Sequence, residues 1–239
     1  AERRLMGLGV VEESATHITV RCSVAPDDFE LPTLLGRLGR TEATIRSGAV
    51  SALVDGDADA ARRARERKPQ LEKLFSLFLR LVFTTYRNPR LNHAVGVGTG
   101  FPLIGYRSAA QDVALMADIA DGIAAQVAER ETDPLGEAAA ADIEAVHEAL
   151  DTAAAEVREA VVDPDYDRVR DARESLARVD ERSVAAVDRL ETDRPEPLLL
   201  LHRTHLLLQR SARHTRDTLD VATHLAFRDS PDVVTRDDV

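Results

Sequence analysis

Along most of the chain, apolar residues recur at intervals of three and four positions, beginning near residue 28. Side chains spaced in this way lie on one face of an α-helix, and that face packs against neighbouring helices. Alternation of three and four also produces near-heptad seams, which are typical of antiparallel bundles. One such stripe comprises Leu135, Ala139, Ile143, Val146, Leu150, Ala153 and Val157. The pattern therefore predicts an all-α bundle.

Turn-forming residues divide this pattern into six predicted helices. Asp133-Pro134 and Asp163-Pro164 each offer a capping carboxylate followed by a proline at the first helical position. Clusters of glycine and proline mark the other breaks. The predicted helices cover residues 30–54, 58–86, 103–131, 134–161, 164–192 and 197–227.

The connection between the first and second helices recurs later in the chain. Residues 52–66 and 160–174 are identical at nine of fifteen positions at an offset of 108 residues. This repetition predicts a tandem repeat of two three-helix bundles. The predicted domains are an N-terminal segment, two repeats and a disordered tail, at residues 1–26, 27–132, 133–228 and 229–239.

The N-terminal segment has a different pattern from the rest of the chain. Residues 8–13 and 17–22 are rich in strand-forming residues and are separated by a short polar turn, which predicts a β-hairpin ahead of the bundle. An isolated hairpin is only marginally stable. We therefore expect it to pack on the bundle or to be the end of an upstream module.

The composition excludes several classes of protein. Apolar residues make up 44% of the chain and charged residues 31%, which excludes disorder over most of its length. Cys22 is the single cysteine, which excludes an intramolecular disulfide and a cysteine-based zinc site. No apolar stretch approaches the roughly 20 residues that span a membrane. No secretory signal peptide is visible.

The charges are strongly biased towards acidic residues and arginine. The chain has 42 acidic and 31 basic residues, for a net charge of −11, and only two of the basic residues are lysines. This bias is typical of a halophilic source, and a GC-rich genome is the alternative. A salt titration of folding distinguishes the two explanations, since full stability in dilute buffer would exclude a halophilic source. The negative balance also argues against a large nucleic-acid interface.

No catalytic motif stands out. The glycine-rich segment 96–100 has neither the preceding strand nor the Gly-Lys-Ser/Thr ending of a phosphate-binding loop, so we interpret it as a mobile loop. Glu144 and His147 match one copy of the Glu-x-x-His motif of di-iron bundles, but a second copy is missing, so we interpret them as a surface pair. His205 lies on an apolar stripe, which favours a hydrogen-bonded core histidine over a metal site with His202.

The chain resembles the PhoU family of phosphate-uptake regulators in its tandem repeat and in the acidic turn of each repeat. The opening residues 3–13 and the segment 88–91 resemble the archaeal branch of that family in particular. The resemblance extends from residue 3 to about residue 227. In that branch, an AbrB-type DNA-binding domain commonly precedes the PhoU part. The resemblance therefore implies contact with DNA only through such an upstream domain, which this chain does not contain.

The resemblance also implies positions for metal ligands on the second and third helices of each repeat. Acidic pairs four residues apart share one helix face, where facing helices build a metal cluster. Several ligand positions are replaced here, most clearly by Lys68 and Leu176. The degenerate positions that retain a ligand type are Glu72, Asp118, Asp180 and His214.

These replacements change the expected cofactor content. We expect no cofactor and no tightly bound cluster, and at most a weakly bound divalent or iron ion near Glu72 and Asp118. We expect Asp180 to form an ion pair with Arg213 in place of a metal.

The function implied by the resemblance is negative regulation of phosphate uptake and phosphate homeostasis, without enzymatic activity. The implied partner is the ATPase subunit of a phosphate transporter or a signalling protein. We expect a cytoplasmic homodimer. The alternative is a transcriptional regulator in which the helices dimerise or sense a signal. A structural bundle with no role in phosphate uptake is a third hypothesis.

Overall fold

The computed structural model describes the backbone of residues 8–13, 18–22, 29–98, 100–129, 132–193, 195 and 197–229, and side chains within these ranges from residue 29 to residue 228. Two short antiparallel strands, β1 (Leu8–Glu13) and β2 (Ile18–Cys22), come first. The helices that follow are α1 (Leu31–Asp55), α2 (Ala58–Arg65), α3 (Lys68–Arg87), α4 (Phe101–Ala128), α5 (Glu137–Val162), α6 (Tyr166–Asp193) and α7 (Leu198–Asp229).

The helices form two three-helix bundles that pack side by side. Helices α1 to α4 make the first bundle, in which α2 and α3 together act as the second helix, and α5 to α7 make the second. The bundles meet where α4 packs on α7 and α1 packs on α5. The core consists mainly of leucine, valine and alanine, which allow the helices to approach closely. From residue 29 onwards the described residues confirm the predicted all-α fold, with the second of the six predicted helices divided in two.

The second predicted helix is divided into α2 and α3 at Glu66 and Arg67. Pro69 explains the division, because it has no N–H to donate and its ring clashes with the carbonyl four residues earlier, at Arg65. Helix α2 ends at that residue. The equivalent position in the second repeat is Ala177, and α6 is continuous there.

The repeated residues make equivalent contacts in both bundles. Asp57 caps α2 by accepting a hydrogen bond from the N–H of Ala60 at 2.8 Å. Each second helix also carries an ion pair between an aspartate and the arginine three residues later, Asp59 with Arg62 and Asp167 with Arg170. The sequence repeat is therefore also a repeat of local structure.

Two predicted helix starts are wrong by a few residues. Helix α5 begins at Glu137 rather than residue 134, because the N–H of Leu135 donates to the carbonyl of Val54 at 2.9 Å and keeps this connection against the end of α1. Helix α6 begins at Tyr166 rather than residue 164, and Asp165 accepts a hydrogen bond from the N–H of Asp167. In both cases the Asp-Pro pair lies in the connection before the helix.

The connection after α3 is packed and not loose. It contains a short 3-10 turn at Pro89–Leu91, and Val95 and Val97 are buried. The N–H of Leu31, at the start of α1, donates to the carbonyl of Val95 at 2.9 Å. Val97 is the one buried residue among the described residues of the glycine-rich segment, and the mobile loop at residues 96–100 stays a prediction.

None of the described helices is both long enough and apolar enough to cross a membrane.

Candidate functional site

In the first repeat, the predicted metal positions are Glu72 on α3 and Asp118 on α4. Lys68 places its ammonium group 3.0 Å from Oδ1 of Asp118 and 3.5 Å from Oδ2 of Asp121. Arg65 donates to the other oxygen of Asp121 at 2.9 Å. Among the described residues, Glu72 forms no ion pair. The carboxylates on α4 are thus already matched by two cations of the protein.

The electrostatics of this group favour the charged state of Lys68. Burial by itself lowers the pKa of Lys68, but the hydrogen bonds and charges of Asp118 and Asp121 outweigh burial and raise that pKa overall. The ammonium group therefore neutralises charge at Asp118, one of the predicted ligand positions, and at Asp121.

In the second repeat, the predicted position Asp180 is also matched by a cation. Both carboxylate oxygens of Asp180 accept hydrogen bonds from one nitrogen of Arg216, at 2.8 and 2.9 Å. The predicted pairing with Arg213 is wrong, because the observed partner lies three residues further along α7. In both repeats, a cation of the protein thus lies beside a carboxylate at a ligand position that the resemblance implies.

His214, the fourth predicted residue, lies at the contact between α4 and α7. Its Nδ1 is 3.2 Å from Oδ1 of Asp112 and 3.7 Å from Oδ2 of Asp217. The hydroxyl of Thr218 donates to the second oxygen of Asp112 at 3.4 Å. Burial raises the pKa of Asp112, and the hydrogen bond from His214 partly offsets this effect.

Asp112, His214 and Asp217 form the one group of three ligand-type side chains that converges within the described residues, with ligand atoms within 4.8 Å of one another. An imidazole with two carboxylates suits zinc, manganese or iron. The same geometry also serves as a hydrogen-bonded contact between the two bundles. Of the predicted ligand positions, His214 belongs to this group, whereas Glu72, Asp118 and Asp180 do not.

A second polar cluster is buried where α1 packs on α5. Arg46 is fully buried and donates to Glu42, which is also fully buried, at 2.8 Å, and to Asp151 at 3.0 Å. Burial by itself lowers the pKa of Arg46, but these two carboxylates outweigh it and raise that pKa overall. The guanidinium of Arg158 lies over Gly39 on α1, at a point where any side chain would collide with it. The cluster connects the two repeats.

His147 belongs to this cluster and does not form the predicted surface pair with Glu144. Its Nδ1 lies 3.2 Å from a guanidinium nitrogen of Arg46, and its Nε2 lies 3.2 Å from the hydroxyl of Ser47. Burial and the positive charge of Arg46 lower the pKa of His147 to about 4. The imidazole is therefore neutral at pH 7 and accepts a hydrogen bond from Arg46.

His205 is buried as predicted, with 2% of its surface exposed. The predicted hydrogen bond is not found, since neither ring nitrogen has a partner among the described residues. Burial, with a smaller effect of His202, lowers the pKa of His205.

The arrangement of helices defines a known class of fold. The chain is similar to the crystal structure of PhoU from Pseudomonas aeruginosa, with a TM-score of 0.67 over 82% of this chain and 94% of that chain. The two sequences are 17% identical. No family model and no curated protein matches the sequence. The protein therefore has a PhoU-like fold.

Removal of Lys68 tests whether an internal cation replaces the metal. We expect the wild-type protein to retain no more than one manganese, iron or zinc ion per chain after dialysis. We expect Lys68→Glu to bind Mn²⁺ about tenfold more tightly or better, because it removes an ammonium and adds a carboxylate beside Glu72 and Asp118. Metal analysis after dialysis measures the ion content, and calorimetric titration with Mn²⁺ measures the affinities of the wild-type protein and of Lys68→Glu.

The matched control is Arg62→Glu, which makes the same change of charge at an exposed position on α2. If the two variants bind Mn²⁺ equally, or if the wild-type protein holds several ions per chain, Lys68 does not take the place of a metal.

Proposed function

We propose that this protein is a non-enzymatic negative regulator of phosphate uptake and phosphate-responsive signalling, and that it acts by contact with another protein. The proposal rests on the PhoU-like fold and on an exposed apolar surface that suits protein contact. The partner that we propose is the ATPase subunit of a phosphate transporter, with a signalling protein as the related alternative.

The apolar surface lies where the end of α3 meets the start of α4. Phe83, Tyr86 and Ile104 are exposed by 58%, 72% and 54%. Together with Val82, Leu103 and the cation Arg107 they line a shallow depression of about 190 Å³. We call the five apolar residues of this lining the apolar patch. It is the observation that carries the proposal.

Its composition is that of a protein interface. The whole chain has only nine aromatic residues, yet the apolar patch exposes two of them. Large apolar side chains exposed together are uncommon on a free surface and mark sites of association. Aromatic residues are also enriched among those that dominate binding energy. The apolar patch therefore favours a protein that regulates by binding a partner over a protein that catalyses a reaction.

A complementation experiment tests the role of the apolar patch. In cells that lack the gene, we expect phosphate uptake and phosphate-responsive expression to be raised in phosphate-rich medium. We expect the wild-type gene to restore repression and Phe83→Ser/Tyr86→Ser to fail, because the variant loses the apolar contact. Radiolabelled phosphate uptake and a reporter for expression measure both effects.

Leu206→Ser is the matched control, since Leu206 is also 58% exposed but lies on α7, away from the apolar patch. We expect it to restore repression, and a thermal melt confirms that both variants are folded. Full repression by the patch variant would contradict contact at this surface. Normal uptake in the deletion strain would contradict the function itself.

We further propose that the protein is a cytoplasmic homodimer, with the β1–β2 hairpin as a stable N-terminal element. Light scattering checks the molecular mass of the dimer, and Phe83→Ser/Tyr86→Ser should leave that mass unchanged.

The alternative function, a transcriptional regulator with an upstream DNA-binding domain, follows from the same resemblance. The negative charge of this chain favours protein contact over direct DNA contact by the helices.

A further inference from the structure

A strongly basic groove runs between α1 and the junction of α2 with α3. Arg37, Arg40, Arg67 and Lys73 line it, and its volume is about 510 Å³. Among the described residues no carboxylate lines it, although acidic residues outnumber basic ones in the chain by 42 to 31. We call it the basic groove. It lies on the first repeat, away from the apolar patch on α3 and α4.

The four cations of the basic groove lack the carboxylate partner that several other cations of the protein have. Lys68, Arg65 and Arg216 each face a carboxylate within 3.5 Å. Within the described ranges, no carboxylate lies within ion-pair distance of Arg37, Arg40, Arg67 or Lys73. Cations gathered without counter-charges repel one another and create a positive potential. Such a potential attracts an anion from solution.

Local structure brings these cations together. Arg37 and Arg40 are three residues apart on α1 and thus share one face of that helix. Arg67 lies at the interruption of the second helix, at the N-terminal end of α3. The break that Pro69 imposes places this residue at a helix start. The positive end of the α3 dipole therefore adds to the charge of the side chains.

The basic groove is a property of the first repeat alone. At the offset of 108 residues, the positions of Arg37, Arg40, Arg67 and Lys73 correspond to Ala145, Glu148, Ser175 and Glu181. The second repeat keeps the helices but has two carboxylates and no cation at these four positions. The cations are therefore not required by the fold.

We propose that the basic groove binds a small anion that carries two or more linked phosphate groups. Guanidinium groups match phosphate oxygens with paired hydrogen bonds, and three of the four cations are arginines. Four cations exceed the charge of a single orthophosphate, whereas a diphosphate or triphosphate matches them. The volume is that of a small-molecule site. The proposal is independent of the proposed function, because it concerns binding to the purified chain.

The hydroxyls of Thr41 and Thr44, which also line the basic groove, donate to the carbonyls of Arg37 and Arg40 at 2.9 and 2.8 Å. Because the hydroxyl hydrogens of these threonines already bond to backbone carbonyls, the cations supply most of the hydrogen-bond donors that a bound anion would meet. Phe29 adds an apolar wall. A nucleoside triphosphate would place its base against this wall, and an inorganic triphosphate would use the cations alone.

Calorimetric titration of the purified chain tests the proposal, at a salt concentration where circular dichroism shows that the chain is folded. The probes are orthophosphate, inorganic triphosphate, ATP and hexaglutamate. We expect triphosphate to bind at least tenfold more tightly than orthophosphate. We expect Arg40→Gln/Arg67→Gln to weaken triphosphate binding at least tenfold, because two charge-assisted contacts are lost.

The control variant is Arg210→Gln/Arg213→Gln, which removes two exposed cations from α7 and should change the affinity less than twofold. An equal loss in both variants would show general charge attraction and overturn the proposal. The absence of saturable binding, or hexaglutamate binding as tightly as triphosphate, would also overturn it.

Titrations of the wild-type chain and of Phe29→Ala with ATP and with inorganic triphosphate show whether the ligand is a nucleotide or an inorganic phosphate chain. Tighter binding of ATP than of triphosphate, abolished by Phe29→Ala, identifies a nucleotide. Equal binding that is unaffected by Phe29→Ala identifies an inorganic chain. Either result supports the proposal.

Discussion

Arg46→Ala is expected to lower the free energy of unfolding by about 3–5 kcal/mol, the cost of removing one partner from a buried ion pair. Arg46 and Glu42 are both fully buried, and Arg46 also donates to Asp151 on α5. Without the guanidinium of Arg46, the carboxylate of Glu42 stays buried between the two bundles and loses its ion-pair partner, and only the more distant charge of Arg158 remains near it. Urea denaturation at pH 7 measures the change.

Two further variants show whether the loss of stability in Arg46→Ala comes from the buried carboxylate of Glu42 that has lost its partner. Glu42→Leu/Arg46→Met removes both buried charges, and we expect it to cost much less than Arg46→Ala. Arg62→Ala removes an exposed partner of Asp59 and should cost less than about 1 kcal/mol. A loss for Arg46→Ala as small as that for Arg62→Ala would contradict the importance of this cluster.

His147 is expected to make the protein sensitive to acid. Burial, followed by the charge of Arg46, lowers the pKa of His147 from 6.5 to about 4 in the folded protein. Between these pH values the unfolded chain binds more protons than the folded one, so stability falls as the pH falls. The full contribution is roughly 3 kcal/mol, present above pH 6.5 and lost on approaching pH 4.

Urea denaturation at pH values from 7.5 to 4.5 measures this dependence, with His147→Gln for comparison. We expect the variant to show a smaller loss of stability between pH 6.5 and pH 4.5, because it has no imidazole to protonate. An unchanged pH dependence in the variant would show that His147 does not cause the acid sensitivity.

The helices were predictable because their apolar spacing is local information. The stripe along α7, which includes Leu201, His205 and Leu208, is buried as predicted. Helix starts were less predictable, since Asp133-Pro134 has the residue types of a cap. The start of α5 depends instead on a hydrogen bond between Leu135 and Val54, which are distant in sequence.

The sequence does carry one signal of the buried cluster. Glu42 lies on the apolar stripe of α1, between Leu38 and Ile45, where a carboxylate is unusual. A glutamate and an arginine four residues apart are typical of a solvent-exposed helix face, and only the packing of α5 makes them buried.

The candidate metal group could not be predicted from local spacing. His214 and Asp217 are three residues apart on α7, but Asp112 is 102 residues away from His214 on α4. Their proximity depends on how the two bundles pack. The sequence shows Lys68 at a position where the resemblance implies a metal ligand. The pairing of Asp180 with Arg216 and not with Arg213 depends instead on the rotation of α7.

A crosslinked pull-down of the tagged protein tests the central claim, regulation of phosphate uptake by protein contact, most directly. It uses cells grown in phosphate-rich and in phosphate-starved medium, with the wild-type protein, Phe83→Ser/Tyr86→Ser and Leu206→Ser. We predict recovery of a phosphate-transporter ATPase, stronger in rich medium, with the wild-type protein and Leu206→Ser but not with the patch variant. Recovery of promoter DNA without transporter subunits would contradict the claim and favour a transcriptional regulator.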